Sequence, residues 1–193
     1  MIYHWKKIKE EKKGLKLVFI HTPKCGGSYI NSILRYLRIK RNGHLQATKE
    51  LQEKYITFTV IREPVERFES FINYRLGEIT PRSDWPEYLD HVYNDKSITL
   101  NEIIKLIKKK DTEQLHPFKT LEYWTENIDI IITMKDLRPL LTYFGYRYNN
   151  RRFKKRNISK KNRGKLNEKS KEKIKEIFKN DIELYQNIVK KLL

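Results

Sequence analysis

The chain has 193 residues and a formal net charge of +18 at pH 7, the balance of 42 basic and 24 acidic side chains. A composition of 38% hydrophobic and 12% aromatic residues is sufficient for one folded core at a length typical of a single domain, and it argues against a disordered or collagen-like chain. One cysteine and the lack of a long apolar run argue against a disulfide scaffold, a structural zinc module and a membrane-spanning helix.

The excess of positive charge predicts an anionic partner. A sequence pI near 9.8 fits nucleic acid, an anionic polysaccharide, a phosphorylated small molecule or a membrane surface. The charge is concentrated over residues 151–165, where nine basic side chains occur without an acidic one. Because the charged start of the chain lacks the apolar stretch of a secretory signal, we expect a reducing, cytoplasmic location.

The first 76 residues predict two strands that are each followed by a helix. Residues 16–20 are β-branched and aromatic, and the segment after the next glycines carries apolar side chains at helical spacing. Pro64 suits the first turn of the helix after the second strand. The predicted elements are a strand over 16–20, a helix over 28–37, a polar loop over 38–46, a short helix over 50–54, a strand over 55–61 and a helix from Pro64 to Leu76.

The remainder of the chain predicts one more buried strand among helices. The run from Ile128 to Met134 is the most apolar of the sequence and fits a strand of a parallel sheet. The other predicted elements are an irregular insert over 77–97, a helix over 100–109 capped by Thr99, a helix over 136–144 ended by Gly145 and a long helix over 170–192.

This order of strands and helices predicts an α/β fold in which a small parallel sheet is flanked by helices. In such folds, ligands bind at the carboxyl ends of the strands. We expect a single domain over residues 1–193, with an α/β core over 15–145, a basic loop over 146–166 and a C-terminal helix over 167–193.

The turn after the first strand carries the residues of an anion-binding site. A strand that turns through Gly26 and Gly27 into a helix directs backbone N–H groups and the positive end of the helix dipole toward one point. Lys24 adds a positive charge there, and Ser28 adds a hydroxyl. Because the lysine precedes the glycines, the turn is not the Walker motif GxxxxGK[ST].

A second polar segment, from Arg62 to Ser70, begins where the second strand ends. A guanidinium can bind a phosphate through two parallel hydrogen bonds, and a hydroxyl on the next helix could converge on the same group. Since parallel strands end at one edge of a sheet, we expect Arg62 at the same edge as the first turn. Taken alone, the two residues also fit a surface ion pair and a solvated helix face.

Together, the segments HTPKCGGSYI and VIREPVERFESF resemble the motifs of the sulfotransferases that modify carbohydrates, above all the branch containing heparan sulfate 2-O-sulfotransferase. The resemblance implies a P-loop-NTPase-like sulfotransferase fold, and 3′-phosphoadenosine 5′-phosphosulfate (PAPS) as the sulfuryl donor. In that family the first motif, PKTGGTS-like, binds the 5′-phosphosulfate, and the second, RxPxxRxxS-like, holds the 3′-phosphate. No metal is implied.

Carried over by position, the resemblance assigns the 3′-phosphate to Arg62 and Ser70 and the 5′-phosphosulfate to the turn. Cys25 stands where the family often has threonine, a small-for-small exchange that keeps the backbone turn possible. Lys24 would also stabilise the negative charge on the departing nucleotide. The residues assigned to the 5′ side are Pro23, Lys24, Cys25, Gly26, Gly27 and Ser28.

The resemblance extends beyond these two motifs. Residues 132–137 are similar to a strand and Glu-Asp-Leu segment of the family, and residues 181–185 are similar to the Asp-x-Glu-Leu-Tyr ending of its closing helix. Asn157 begins a stretch similar to the Asn-x-Ser segment of the family. The basic run around it would help to cover the nucleotide or would contact an acidic acceptor.

Transfer of a sulfuryl group to a hydroxyl needs a base for the proton of the attacking oxygen, and histidine, with an ordinary pKa of about 6.5, is suitable. His44 lies between the two motifs in a Gly-His context that matches the catalytic histidine of the 2-O-sulfotransferase branch. His116 resembles a histidine stretch of related enzymes and is the second candidate. We expect His21 to shape the turn, and His4 and His91 to lie at the surface.

The insert over 77–97 is the expected rim of the acceptor site. Its aromatic residues Trp85, Tyr88 and Tyr93, together with Trp124, fit either stacking on sugar rings or packing in a core, of which packing is the ordinary role. Taken as a whole, the resemblance implies a PAPS-dependent sulfotransferase that acts on a hydroxyl of a carbohydrate.

Two other function classes stay open at this point. The first is a small P-loop-like nucleotide kinase, which would depend on Mg²⁺ and ATP. The second is a non-catalytic protein that binds polyanions through the basic run. Substitution of Lys24 or Arg62 should leave such a binder nearly intact, whereas a sulfotransferase should lose nucleotide affinity.

Overall fold

The computed structural model describes residues 2–76, 92, 95, 97–109, 119–149, 153 and 164–192. The chain divides into two compact units. The first lies within residues 1–62, 121–157 and 184–193, and the second lies within residues 63–120 and 158–183.

The described elements alternate between helices and short strands. In chain order they are helix α1 (Ile2–Glu11), strand β1 (Leu17–Ile20), α2 (Gly27–Tyr36), β2 (Lys40–Arg41), α3 (Lys49–Lys54), β3 (Ile56–Ile61), α4 (Pro64–Arg75), α5 (Leu100–Leu106), α6 (Leu121–Thr125), β4 (Ile130–Thr133), α7 (Leu137–Tyr143), α8 (Glu168–Ile177) and α9 (Lys179–Leu192). A single 3₁₀ turn, Met134–Asp136, joins β4 to α7.

The four strands of the described ranges form one sheet in the order β2–β1–β3–β4, and every neighbouring pair is parallel. Ile20, at the end of β1, pairs with Thr59, and Ile61, at the end of β3, pairs with Thr133. The carboxyl ends of β1, β3 and β4 therefore lie at one edge of the sheet. This small parallel sheet with its flanking helices confirms the predicted α/β fold.

Hydrophobic burial on the sheet explains why the first unit folds. All residues of β1 and β3 are buried, which is typical of parallel strands. Helices α1, α2 and α7 add apolar side chains to the same core, and each large one contributes about 1.5–3 kcal/mol when fully buried. These side chains are Trp5, Ile8, Ile30, Ile33, Leu34, Leu137, Leu140 and Leu141.

The second unit has a separate core formed by α4, α5 and α8. Thr99 begins α5 as predicted: its hydroxyl accepts from the Glu102 amide at 3.3 Å, and the Glu102 carboxylate accepts from the Thr99 amide at 2.7 Å. The apolar residues predicted to face inward on the helix after Pro64 are buried here, except Leu76, which is half-buried. The core side chains include Val65, Phe68, Phe71, Ile72, Leu100, Ile103, Ile104, Ile174 and Phe178.

Three predicted segments differ from the structure. The helix expected over 100–109 ends at Leu106, because Ile107 is extended with φ −62° and ψ 133°. The loop expected over 38–46 contains β2, whose Lys40 pairs with Val18 of β1 while both β2 side chains are exposed. The single helix expected over 170–192 is divided at Phe178, which leaves the helical conformation with φ −106° and ψ 30°. Phe178 packs there on Phe68, with ring centroids 5.2 Å apart, a tertiary contact that hydrophobic periodicity does not encode.

Candidate active site

The turn between β1 and α2 has the backbone of an anion-binding loop. Lys24 and Gly26 have positive φ values of 64° and 82°, and α2 begins directly afterwards at Gly27. The Gly26 carbonyl accepts hydrogen bonds from the Tyr29 and Ile30 amides at 3.0 and 3.1 Å, which closes the first helical turn. The Lys24 charge and the positive end of the α2 dipole therefore act at the same end of the helix.

Three further residues of the predicted donor site belong to this turn. Pro23 and Cys25 are buried, and the Cys25 thiol lies 3.6 Å from the Pro23 carbonyl oxygen, to which it donates. Ser28 is exposed at the second position of α2. The turn therefore presents Ser28 to solvent and keeps Cys25 inside.

Two buried threonine hydroxyls tie the start of the turn to the neighbouring strand. Thr59, on β3, donates to the Ile20 carbonyl at 2.8 Å, so its single proton is in use. Its oxygen lies 2.8 Å from the Thr22 hydroxyl, and Thr22 must therefore donate in that bond. Since a buried hydroxyl without a partner costs about 1–3 kcal/mol, this pair fixes the turn relative to the sheet.

Arg62 directly follows β3, at the sheet edge that carries the turn. It is half-buried, and the chain then enters α4, where Pro64 occupies the first position and the Glu63 carboxylate accepts from the Glu66 amide at 2.8 Å. Because β3 is the neighbour of β1, Arg62 and the turn containing Lys24 follow adjacent strand ends.

The rest of the second motif lies on α4, in the second unit. Ser70 is half-buried there. Arg67, the second arginine of the motif, is 4% exposed; its Nη1 atom lies 3.7 Å from the buried Asp181 carboxylate, and its Nη2 atom donates to the Lys119 carbonyl at 3.0 Å. A buried ion pair thus joins the arginine motif to the Asp-x-Glu-Leu-Tyr segment, which the sequence did not indicate.

His44 is exposed on a loop that hydrogen bonds hold in place. The Asn42 amide donates to the Phe19 carbonyl on β1 at 2.8 Å, and the Asn42 side chain donates to the Gln46 carbonyl at 3.3 Å. The Gln46 side chain donates in turn to the Tyr123 carbonyl on α6 at 2.8 Å. An exposed imidazole on a loop anchored in this way is accessible to a substrate hydroxyl.

His21 connects the His44 loop to the turn. Its amide donates to the Gly43 carbonyl at 3.1 Å, and its ring centroid lies 4.1 Å from that of His44. A Cβ atom on Gly27 would collide with the His21 imidazole, so His21 shapes the turn as expected. Burial above all, followed by the charges of His44 and Lys24, lowers the pKa of His21 to about 4. His21 is consequently neutral at pH 7.

Met134 is a second neighbour of the turn that the sequence did not indicate. It follows β4, is 38% exposed, and its terminal methyl group occupies the space that a Cβ atom on Gly26 would need. Nothing in the local sequence indicates this contact, because it depends on the position of β4 in the sheet.

The remaining candidates are placed as follows. Trp124 is fully buried in the first unit, so it packs in the core rather than stacking on a sugar, and His4 is exposed on α1 as expected. His91, His116, Trp85, Tyr88, Tyr93, Asn157 and the basic run apart from Phe153, Gly164 and Lys165 lie outside the described residues.

Two other features are absent from the described ranges. No group of three or more His, Cys, Asp or Glu side chains among these residues is arranged to hold a metal ion. In the same ranges, no helix combines the length and apolar character needed to cross a bilayer.

Comparison with known proteins gives one match. Residues 10–127 match the model of the Sulfotransferase family, and this segment contains the turn, His44 and Arg62. No curated protein and no solved structure matches the chain. Membership of the heparan sulfate 2-O-sulfotransferase branch stays a prediction. Because the match covers more than half of the chain, the protein belongs to the sulfotransferase family and is an enzyme that transfers a sulfuryl group.

Proposed function

We propose that this enzyme takes the sulfuryl group from PAPS and transfers it to a hydroxyl of a carbohydrate, with His44 as the general base. The observation that carries the proposal is the arrangement at one edge of the sheet. The turn containing Lys24 follows β1, Arg62 follows the neighbouring β3, and His44 contacts the turn through His21. Cationic groups at two adjacent strand ends suit a nucleotide that carries anionic groups at two positions.

The motif resemblance implies PAPS as the donor, and the charge and geometry of the site support it. The 5′-phosphosulfate of PAPS fits the start of α2, where the helix dipole, backbone amides and the Lys24 ammonium act on one anion. The 3′-phosphate fits Arg62, because a guanidinium binds phosphate through two parallel hydrogen bonds. The assignment of Ser70 to the 3′-phosphate rests on the motif resemblance and stays a prediction.

The reaction forms one sulfur–oxygen bond and breaks another. The acceptor oxygen attacks sulfur in line with the oxygen that bridges sulfur and the 5′-phosphate, while His44 takes the hydroxyl proton. The bond from sulfur to that bridging oxygen breaks, and its electron pair leaves with adenosine 3′,5′-bisphosphate. Lys24 and the first amides of α2 stabilise the charge that develops on the departing phosphate.

Calorimetry with adenosine 3′,5′-bisphosphate, AMP and ATP tests the donor assignment. Wild type should prefer the bisphosphate over AMP, and Arg62→Ala should bind it about 10- to 100-fold more weakly, since a hydrogen bond to a charged group contributes about 1.5–3 kcal/mol. Arg35→Ala is the matched control, because Arg35 is exposed on α2 and its removal changes the net charge equally. Equal binding of AMP and the bisphosphate by wild type would contradict the role of Arg62.

Turnover of radiolabelled PAPS with a panel of polysaccharides, simple alcohols and phenols tests the base and the acceptor class. His44→Ala should lower kcat by about 10²- to 10⁴-fold, the usual contribution of a general base, while nucleotide binding persists. His4→Ala provides the control at an exposed histidine. If turnover survives in His44→Ala, His116 becomes the candidate base; if only non-carbohydrate hydroxyls accept the label, the carbohydrate assignment is wrong.

The same proteins and assays distinguish a sulfotransferase from the two other function classes. A nucleotide kinase would bind ATP more tightly than the bisphosphate and transfer phosphate in a Mg²⁺-dependent way. A non-catalytic polyanion-binding protein would bind heparin equally well after Lys24→Met or Arg62→Ala and would show no turnover of PAPS.

A further inference from the structure

We propose that His21 is a positioning residue for sulfuryl transfer: its imidazole, lodged against Gly27, holds the His44 ring beside the phosphate-binding turn. The proposal deepens the proposed function and rests on it for the role of His44 as the base.

His21 contacts the His44 loop through both its backbone and its side chain. Its amide binds the Gly43 carbonyl at 3.1 Å, which fixes the residue immediately before His44. Its ring lies 4.1 Å from the His44 ring at an interplanar angle of 43°, and 5.8 Å from the Phe19 ring at 26°. The imidazole therefore has one aromatic neighbour on β1 and another on the loop of the proposed base.

The phosphate-binding turn supplies the third contact. Gly27 is the buried first residue of α2, and a Cβ atom there would collide with the Nε2, Cε1 and Cδ2 atoms of His21. The ring thus fits against the start of the helix only because position 27 has no side chain. One imidazole consequently contacts both the loop of the proposed base and the proposed 5′-phosphosulfate subsite.

The charge state of His21 suits a positioning role. Burial lowers the pKa of His21 to about 4, together with the charges of two titratable neighbours, His44 and Lys24. At neutral pH the His21 ring is uncharged, so it holds His44 without opposing the proton that His44 accepts during transfer. Below about pH 4, a protonated His21 would place a positive charge beside both groups.

Nuclear magnetic resonance of the imidazole groups tests the contact in the complete protein and needs no acceptor. In wild type, the His44 signals should carry a ring-current shift from His21 and an inflection near pH 4, where His21 titrates. His21→Ala should abolish both features. His21→Phe should keep an aromatic neighbour and lose only the inflection. His4, exposed on α1, is the internal control and should be unchanged in both variants.

Kinetics separate positioning of the base from support of the nucleotide site. His21→Ala should lower kcat by about 10- to 100-fold, the effect of displacing a reacting group by about an ångström. The Kd for adenosine 3′,5′-bisphosphate should rise by a smaller factor than kcat falls, because His21 contacts the turn at Gly27 while Lys24 and Arg62 supply the cationic groups. A larger effect on this Kd than on kcat would assign His21 to the nucleotide site instead.

The result that overturns the proposal is a His44 spectrum at neutral pH that is the same in His21→Ala as in wild type. The absence of a nuclear Overhauser effect between the His21 and His44 ring protons in wild type also overturns it, and this measurement decides the question if His21→Ala fails to fold. A failure of the proposed function would give a different result. Full turnover in His44→Ala would show that His44 is not the base, while the effect of His21 on the His44 signals of wild type would remain.

Discussion

Gly26 and Gly27 are adjacent residues, but a side chain would meet different obstacles at the two positions. Gly26 has a φ of 82°, a conformation that L-residues rarely adopt, whereas Gly27 begins α2 outside that region. At Gly27 the obstacle is the His21 imidazole, because the space of a Cβ atom is already occupied. The backbone alone would accept alanine at position 27.

Gly27→Ala should therefore destabilise the wild-type protein but not the His21→Ala variant. Without the ring, alanine should be neutral or stabilising, since alanine is favoured over glycine in helices by about 1 kcal/mol. Urea unfolding of the two single variants and the double variant should give a coupling free energy of about 1–3 kcal/mol. If the effects of Gly27→Ala and His21→Ala on the free energy of unfolding were additive, the His21 ring would not be what excludes a side chain at position 27.

His21 also makes the free energy of unfolding depend on pH. Its pKa is about 4 in the folded protein, against about 6.5 in the unfolded chain, so the unfolded chain binds the extra proton between these values. The contribution of His21 to stability is complete above about pH 6.5 and is lost as the pH falls toward 4, up to about 3 kcal/mol. Urea unfolding at several pH values should show a larger acid-side loss for wild type than for His21→Phe, and parallel curves would contradict this.

At the scale of elements, the buried pair of Arg67 and Asp181 joins α4 to the start of α9 within the second unit. Asp181→Ala should lower the free energy of unfolding by about 3–5 kcal/mol, because it leaves a buried guanidinium without its carboxylate. Replacing both partners, as Arg67→Met with Asp181→Leu, should recover most of that loss.

Glu183→Ala is the matched control for this pair, since Glu183 is an exposed acidic residue on the same helix. Its effect on urea unfolding should be within about 0.5 kcal/mol. If Asp181→Ala were as mild as Glu183→Ala, the ion pair would contribute nothing to the second unit.

The elements that could be predicted from the sequence are those that bury side chains, because burial requires a hydrophobic pattern in the sequence. Strand β1 is a continuous apolar run, β3 and β4 are mainly apolar runs that include threonine, and α2 and α4 carry buried side chains at helical spacing. Strand β2 is two charged, exposed residues paired through their backbone, so hydropathy contains no trace of it. Helix α1 buries Trp5 and Ile8, but most of the residues around them are polar or charged. Its hydrophobic periodicity is therefore too weak to predict a helix.

Some features of the candidate site could likewise be predicted from the sequence, and others could not. The proposed anion-binding turn and the position of Arg62 could be predicted from the order of strand, turn and helix, and from the rule that parallel strands end at one edge of the sheet. The contact of His21 with His44 requires the register of β2 on β1, and the contact of Met134 with Gly26 requires the place of β4. Both contacts depend on the tertiary structure, which could not be predicted from this single sequence.

For the whole molecule, a net charge of +18 attracts polyanions regardless of the donor site. Heparin binding should weaken steeply with added salt, because exposed charges are screened within about 10 Å at 0.1 M ionic strength. Lys24→Met should change heparin binding no more than Lys49→Met, at an exposed lysine, but should abolish tight binding of the bisphosphate. Loss of heparin binding in Lys24→Met alone would mean that the polyanion occupies the donor site.

The φ of 64° at Lys24 places thermal stability and the proposed role in donor binding in opposition at one position of the chain. A left-handed residue with a Cβ atom is about 1–2 kcal/mol less favourable than glycine, so Lys24→Gly should melt at a higher temperature than Lys24→Ala in scanning calorimetry. Both variants should nevertheless fail to bind the donor, and an inverted order of melting temperatures would contradict the account. Selection for thermal stability alone would favour glycine at this position, and selection for the proposed binding of the donor would favour lysine.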